Sequence, residues 1–351
     1  MNLGTVVGDE MGHDFQMAGQ NGAKYNRPFH TGGYRKMFDW RDYGNGIIAF
    51  DAGYIRPILA AIHMIVDHGR VAFVDTGHND ALPNALAALE RVGLDVTAVD
   101  YVILTHIHLD HAGGAGAMMQ AFPNAKLVVH PRGARHMAEP SKLVAGVKAV
   151  YGEEYVERVY GDIIPVPAER IIEAVDDLVL QLGQRPLLCI DTPGHARHHI
   201  CIIDDKASAI FTGDTFGLSY RELDVDGREF IFPTTTPTQF EPDAMREGIE
   251  RIVCYDPEAV YLTHYGRLPN VELLGRDLLR RLHALVEIAE GQRAAGAERH
   301  ARIKQGISDY LLAEVRAHGC TLPEAQILEI WATDLELNAQ GLAVWLDSQA
   351  H

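Results

Sequence analysis

Within seven consecutive positions, Thr105-His106-Ile107-His108-Leu109-Asp110-His111, the chain places three imidazoles and one carboxylate. Neutral imidazole suits zinc, iron or manganese, and a carboxylate adds a hard oxygen and a negative charge that favours a second dication. Four surface residues sharing a turn would read the same, yet so dense a set of ligand types seldom arises by accident. One loop cannot complete the coordination of two ions, so other segments must add at least one imidazole and a bridging carboxylate. They do, each at the end of an apolar run: Thr192-Pro193-Gly194-His195, Thr212-Gly213-Asp214 and Thr263-His264-Tyr265-Gly266. Two dications about 3.5–4 Å apart can share a water and lower its pKa toward about 7, which makes hydroxide available at neutral pH. No GxSxG elbow, Walker A loop or GxGxxG fingerprint suggests other chemistry.

The motifs VDTG (74–77), THIHLDH (105–111), TPGH (192–195), TGD (212–214) and THYG (263–266) together resemble the metallo-β-lactamase superfamily, in particular its glyoxalase II-like and quorum-lactonase-like hydrolases, over about residues 45–290. The resemblance implies an α/β fold, a four-layer αβ/βα sandwich with the site at one edge of the paired sheets. It implies that His106, His108 and His195 bind one metal, that Asp110, His111 and His264 bind the other, and that Asp214 bridges. Asp75 is implied as the residue that orients the ligand loop from behind. The cofactors expected are two divalent ions, zinc first, with iron or manganese as alternatives. A metal-bridging hydroxide would cleave an ester, thioester or lactone, and Asp110 or Asp214 would take up the proton. True β-lactamases alter the Asp110 position, so antibiotic hydrolysis is not expected.

Three further groups are weighed around these ligands. His199 reads as a structural hydrogen-bond partner, and His198 as either pocket-lining or exposed. Tyr220 and Arg221, in the segment that follows the bridging Asp214, are candidates for orienting substrate. A phenol can donate to a developing oxyanion and a guanidinium can pair with a carboxylate. Tyr220 is thus a third catalytic candidate beside Asp110 and Asp214.

Composition narrows the substrate. With 47% hydrophobic and 23% charged residues the chain can bury a sizeable core, and its net charge of −17 argues against nucleic acid, which needs a basic surface. A small molecule is the expected partner, with no membrane. Cys189, Cys201, Cys254 and Cys320 are scattered without a CxxC spacing, which fits a reducing, cytoplasmic setting. Persulfide dioxygenase, hydrolytic dehalogenase, phosphodiesterase and non-catalytic ligand sensor are the competing readings. Glutathione-thioester hydrolases of the family carry basic residues around a C-terminal helical domain, and no such cluster stands out here.

The elements that must hold these residues follow from the apolar pattern. Residues 1–45 read as an irregular arm, with His13 and His30 as surface residues. Residues 46–296 read as the catalytic domain. Strands are expected at 47–54, 59–67, 70–77, 99–105, 126–130, 185–193, 199–204, 208–214 and 259–264. Helices are expected at 81–93 (where Leu82, Leu86 and Leu89 recur at helical spacing), 114–121, 131–160, 242–254 and 270–290. Residues 297–351 read as an appendage of two helical patterns that packs on the domain or on a second subunit, capping the site entrance or joining a homodimer. Because it follows the last ligand, its removal is expected to leave metal content largely intact.

Overall fold

The computed structural model describes residues 40–237 and 239–349. Among these, thirteen strands form two sheets. The first holds β1 (Trp40–Asp42), β2 (Ile47–Asp51), β3 (Ala61–Asp67), β4 (Arg70–Val74), β5 (Val99–Ile103), β6 (Lys126–Val129) and β7 (Ile171–Glu173), in that order. β1 to β4 run antiparallel and β4 to β7 parallel. The second has the order β13-β12-β11-β10-β9-β8, from β8 (Leu178–Leu182), β9 (Arg185–Asp191), β10 (Ile200–Asp204), β11 (Ala209–Gly213), β12 (Ala259–Leu262) and β13 (Gly266–Leu268). Only β11 and β12 pair in parallel there.

Strands buried on both faces read as unbroken apolar runs, and that is why these segments lack polar alternation. Along β4, Val71 and Phe73 face one core while Ala72 and Val74 face another. Along β10, Ile200 and Ile202 meet the inter-sheet core while Cys201 and Ile203 point the opposite way. The layers are therefore helix, sheet, sheet, helix. The outer face of the first sheet carries α1 (Leu82–Arg91), α2 (Leu109–Ala112), α3 (Ala115–Ala121), α4 (Pro131–Ala138), α5 (Ser141–Tyr151) and α6 (Glu153–Val159). The second carries α7 (Pro242–Cys254), α8 (Val271–Glu290), α9 (Arg299–His318), α10 (Glu324–Ile330) and α11 (Ala332–Ser348).

Several expectations need correction. The arm lies outside the described residues up to position 39, His13 and His30 included, but β1 falls inside the segment read as irregular. Leu86 is 38% exposed, because α1 lays Ala85, Ala88 and Leu89 on the sheet and turns Leu86 outward. β1, β7 and β13, three residues each, are too short to show a period, and β8, although its Leu178–Leu182 run is largely apolar, also lies outside the expected strands. The second C-terminal pattern breaks into α10 and α11 at Trp331, which is fully buried against Phe230 and Phe232. Of its inward candidates Ile327 is buried, whereas Ile330 and Leu337 are only half-buried. The same chain covers the appendage: Ile303, Ile307, Leu311 and Val315 join one core with α7, α8 and the second sheet.

The sheets are also clamped by charge. Arg185, 0% exposed, pairs through Nε and Nη2 with Asp204 on β10, and its Nη1 donates to the Asn45 carbonyl at 2.6 Å beside the first sheet. Removing one member strands the other without water. Asp204→Ala is therefore expected to lower unfolding free energy by about 3–5 kcal/mol. Urea denaturation checks this, and a loss below about 1 kcal/mol, the range of exposed pairs, would contradict it.

Candidate metal centre

All the motif residues stand at one edge of the sandwich, at the ends of β4, β5, β11 and β12 and in the turn between β9 and β10. His106 Nε2 lies 2.7 Å from His108 Nδ1, which lies 3.2 Å from His195 Nε2. These three imidazoles form one group of ligand atoms, and Asp110, His111 and His264 form another. Asp214 stands between them: its Oδ2 is 3.3 Å from His195 Nε2, while its Oδ1 is 3.5 Å from His111 Nε2 and 3.9 Å from His264 Nε2. Asp110 Oδ2 completes the second group, 3.4 Å from His264 Nε2. The structure thus brings together all seven residues expected as ligands. His108 and Asp110 are half-buried and the other five are buried, so the cluster opens on the side of those two.

The donor set fits cations. His111 Nε2 and Asp214 Oδ1 are buried with no hydrogen-bond partner, although such atoms are seldom left unsatisfied. Burial, aided by neighbouring imidazoles, holds His106 and His108 well below the usual histidine range, which keeps their lone pairs available. At His111 burial acts in the same direction, but the carboxylates of Asp214, Asp110 and Asp75 outweigh it and hold the imidazole well above its ordinary value. At Asp214 burial alone would raise the carboxyl. His111, His195 and His264 overcome this and keep it ionised. The field in the second group is negative enough to hold a proton where a metal ion would replace it.

Three of the five candidate ligand rings are fixed from behind, which selects their tautomer. His111 Nδ1 donates to Asp75 at 2.9 Å, His195 Nδ1 to the Thr234 carbonyl at 3.2 Å, and His264 Nδ1 to the Leu59 carbonyl at 2.7 Å. All three rings therefore turn Nε2 inward. Asp75, 0% exposed, also accepts the Thr105 N–H at 2.8 Å, the Thr105 hydroxyl at 3.0 Å and the Thr263 hydroxyl at 2.7 Å. His199 accepts the Asp214 N–H on Nε2 at 3.2 Å, so its Nδ1 carries the proton and donates to Thr192 or Thr215. Gly213, with φ +47°, leaves no room for a side chain: a Cβ would come 2.6 Å from Thr105 Oγ1 and 2.7 Å from His199 Nε2.

The remaining candidates sort differently. His198 is 6% exposed, packed beside His106 and His108, with its imidazole pushed down to about 3 by burial and His195. Tyr220 is buried, and its hydroxyl donates to both oxygens of Asp334 at 3.1 Å, so it does not stand free to donate to an oxyanion. Burial pushes the Asp334 carboxyl up to about 7. Arg221 is spent on Ser219 and Asp224, which makes it a loop anchor. Leu59, Thr234 and Asp334 were not foreseen. A backbone carbonyl carries no sequence signal, and Asp334 lies far along the chain.

The model of the Metallo-beta-lactamase superfamily matches residues 56–264. The metallo-beta-lactamase fold-containing protein ST1585 of Sulfurisphaera tokodaii is 26% identical over 226 residues, 63% of this chain and 78% of its own. Its crystal structure aligns with a TM-score of 0.56 at 25% identity over 67% of this chain and 86% of that one. The metallo-beta-lactamase family protein TTHA1429 of Thermus thermophilus shares the fold, with a TM-score of 0.62 at 17% identity over 87% of this chain and 94% of its own. A hydroxyacylglutathione hydrolase of Xanthomonas oryzae is 28% identical over 218 residues, 60% of each chain.

The Asp75 bonds make a quantitative test. In Asp75→Asn one carboxylate oxygen becomes an amide donor facing other donors, so His111 loses its fixed orientation. Metal affinity is expected to fall about 10- to 100-fold, as for other outer partners of ligating histidines. Competition with a chromophoric chelator measures it, and unchanged affinity would remove Asp75 from this role.

Proposed function

The chain belongs to the metallo-beta-lactamase superfamily, and from that premise we propose that it is a metal-dependent hydrolase cleaving an ester, thioester or lactone in a small molecule. The observation that carries this reading is Asp214, whose two oxygens face separate groups of imidazoles and one of which has no partner in the protein. Two divalent ions, zinc first, would be held by His106, His108 and His195 on one side and Asp110, His111 and His264 on the other, with Asp214 shared. Metal ions in such a site supply a water nucleophile at neutral pH and stabilise the oxygen that gains charge.

The chain's own residues do the rest. His195, His111 and His264 are held with Nε2 inward, so the site needs little reorganisation before reaction. Asp110, half-buried beside His264 Nε2, is the carboxylate placed at the open side to take up the proton released by the attacking water. The buried Thr76, Thr105 and Thr263 back the ligands and keep bulk water out behind them.

Hydrolase also appears in the name of the hydroxyacylglutathione hydrolase relative. A tripeptide carrier with two carboxylates would want cationic side chains near the appendage, and here three of them already have carboxylate partners: Arg299 pairs with Asp347, Arg302 with Glu298 and Lys304 with Glu336. The net charge of −17 likewise supports a small substrate over a nucleic acid. A lactone, ester or thioester with a different acyl partner is therefore the reading put forward. Among the described residues no helix is long and apolar enough to cross a membrane.

Metal analysis combined with a panel of lactones, thioesters, carboxylic esters and phosphodiesters tests this. The expected result is about two metal equivalents per chain, activity on an acyl substrate that a chelator abolishes and metal restores, and loss of both metal and activity in His106→Ala. One iron with oxygen uptake would point to a dioxygenase instead, and cleavage of DNA or RNA without acyl hydrolysis would overturn the proposal.

A further inference from the structure

Helix α11 follows every candidate ligand in the sequence, yet it touches the segment that holds one of them. Asp334, Asn338 and Gly341 stand at positions i, i+4 and i+7 of α11, and so on one face of it. Asn338 is 1% exposed and spends both ends of its amide on one stretch of chain. Its Oδ1 accepts the Thr235 N–H at 2.7 Å and its Nδ2 donates to the Pro233 carbonyl at 3.3 Å. Its backbone carbonyl accepts the Thr235 hydroxyl at 3.1 Å. One turn on, Gly341 lies so close that a Cβ would come 2.4 Å from Thr235 Oγ1 and 2.6 Å from the Thr236 carbonyl oxygen.

The stretch thus gripped grips His195 in turn. The Thr234 carbonyl accepts His195 Nδ1–H at 3.2 Å, and the Thr236 hydroxyl donates to the His195 carbonyl at 2.8 Å. Thr234, Thr235 and Thr236 are all buried, so water cannot substitute for these bonds at low cost. His195 Nε2, aimed by this arrangement, sits 3.2 Å from His108 Nδ1 and 3.3 Å from Asp214 Oδ2.

We infer that α11 is a positioning element of the metal centre, with Asn338 as its principal residue: through residues 233–236 it orients His195 and sets how tightly the His106, His108 and His195 group holds its ion. The inference rests on the metal-dependent reading above. It reverses the expectation that the C-terminal helices are dispensable for metal content. The simpler role for Asn338 is to satisfy buried backbone groups of a loop. That role contributes to folding stability but not to metal affinity once the chain is folded, and the two quantities can be measured apart.

The test uses the full chain, stripped of metal and titrated with Zn2+ against a chromophoric chelator, with the unfolding midpoint of the metal-free form measured alongside. Asn338→Ala is expected to weaken Zn2+ binding about 10- to 100-fold, the range seen when an outer partner of a ligating histidine is lost. Asn338→Asp should recover part of this, since its carboxylate still accepts the Thr235 N–H. Leu89→Ala, which opens the separate core between α1 and the first sheet, should lower the unfolding midpoint and leave Zn2+ affinity unchanged. Should Asn338→Ala not fold, Thr236→Val removes only the hydroxyl bonded to the His195 carbonyl and should weaken Zn2+ binding in the same titration. Unchanged affinity in Asn338→Ala or, in its place, Thr236→Val would overturn the inference, and so would an equal loss in Leu89→Ala. Absence of Zn2+ uptake by the unaltered chain would overturn the metal reading and this inference together, whereas uptake with no effect of these variants overturns this inference alone.

Discussion

Asp75 is the constraint from which the rest of the site follows. A carboxylate at 0% exposure is costly unless hydrogen bonds replace the lost water, and here four donor groups supply them: the Thr105 amide and hydroxyl, the His111 imidazole and the Thr263 hydroxyl. Those donors belong to the ends of strands in different sheets, since Thr105 follows β5 in the first and Thr263 follows β12 in the second. The need to satisfy one buried charge therefore fixes how the two sheets meet at this edge. His111, itself one of the four, is oriented by the same bonds that close the sandwich. Backbone bonds run with them, from the Thr76 amide to the His111 carbonyl and from the Ala61 amide to the Thr263 carbonyl.

On that frame the two halves of the cluster differ in charge. His106, His108 and His195 form a set of neutral imidazoles, whereas Asp110 and Asp214 give the other half a negative field strong enough to raise His111 against the effect of its own burial. Imidazole-only and carboxylate-containing sites differ in softness and in their dependence on proton release. The halves are thus chemically unequal places for an ion, although they share Asp214.

The candidate ligand set is legible in the sequence because its chemistry lies in residue types: His106, His108, Asp110, His111, His195, Asp214 and His264 each have a side chain able to ligate and follow an apolar run. What escapes is carried by groups without a letter code. The Leu59 and Thr234 carbonyls orient His264 and His195, yet any residue could present a carbonyl there. Short edge strands such as β1, β7 and β13 escape because three residues cannot display a period. On α1 the helical spacing is plain but the inward face is not: Leu86 is the large apolar residue, while the close approach of helix to sheet is made by Ala85 and Ala88. Tyr220 stands out for its hydroxyl, which the fold spends on Asp334, a residue brought near only by tertiary packing.

The contact between α11 and residues 233–236 bears on the order in which the protein matures. A chain leaving the ribosome exposes His106, His108 and His195 well before Asn338 is made, and domains tend to fold from the N-terminal side during synthesis. The imidazoles are then present, but the grip that aims His195 arrives only when the chain has run on to position 338 and α11 has docked. If α11 orients His195 as inferred, binding of a metal at full strength would be a late event, coupled to the synthesis and docking of α11. A product cut short before that helix by premature termination or by a protease would keep the candidate ligand side chains while losing the clasp on one of them, so on that inference metal retention would report whether α11 is in place.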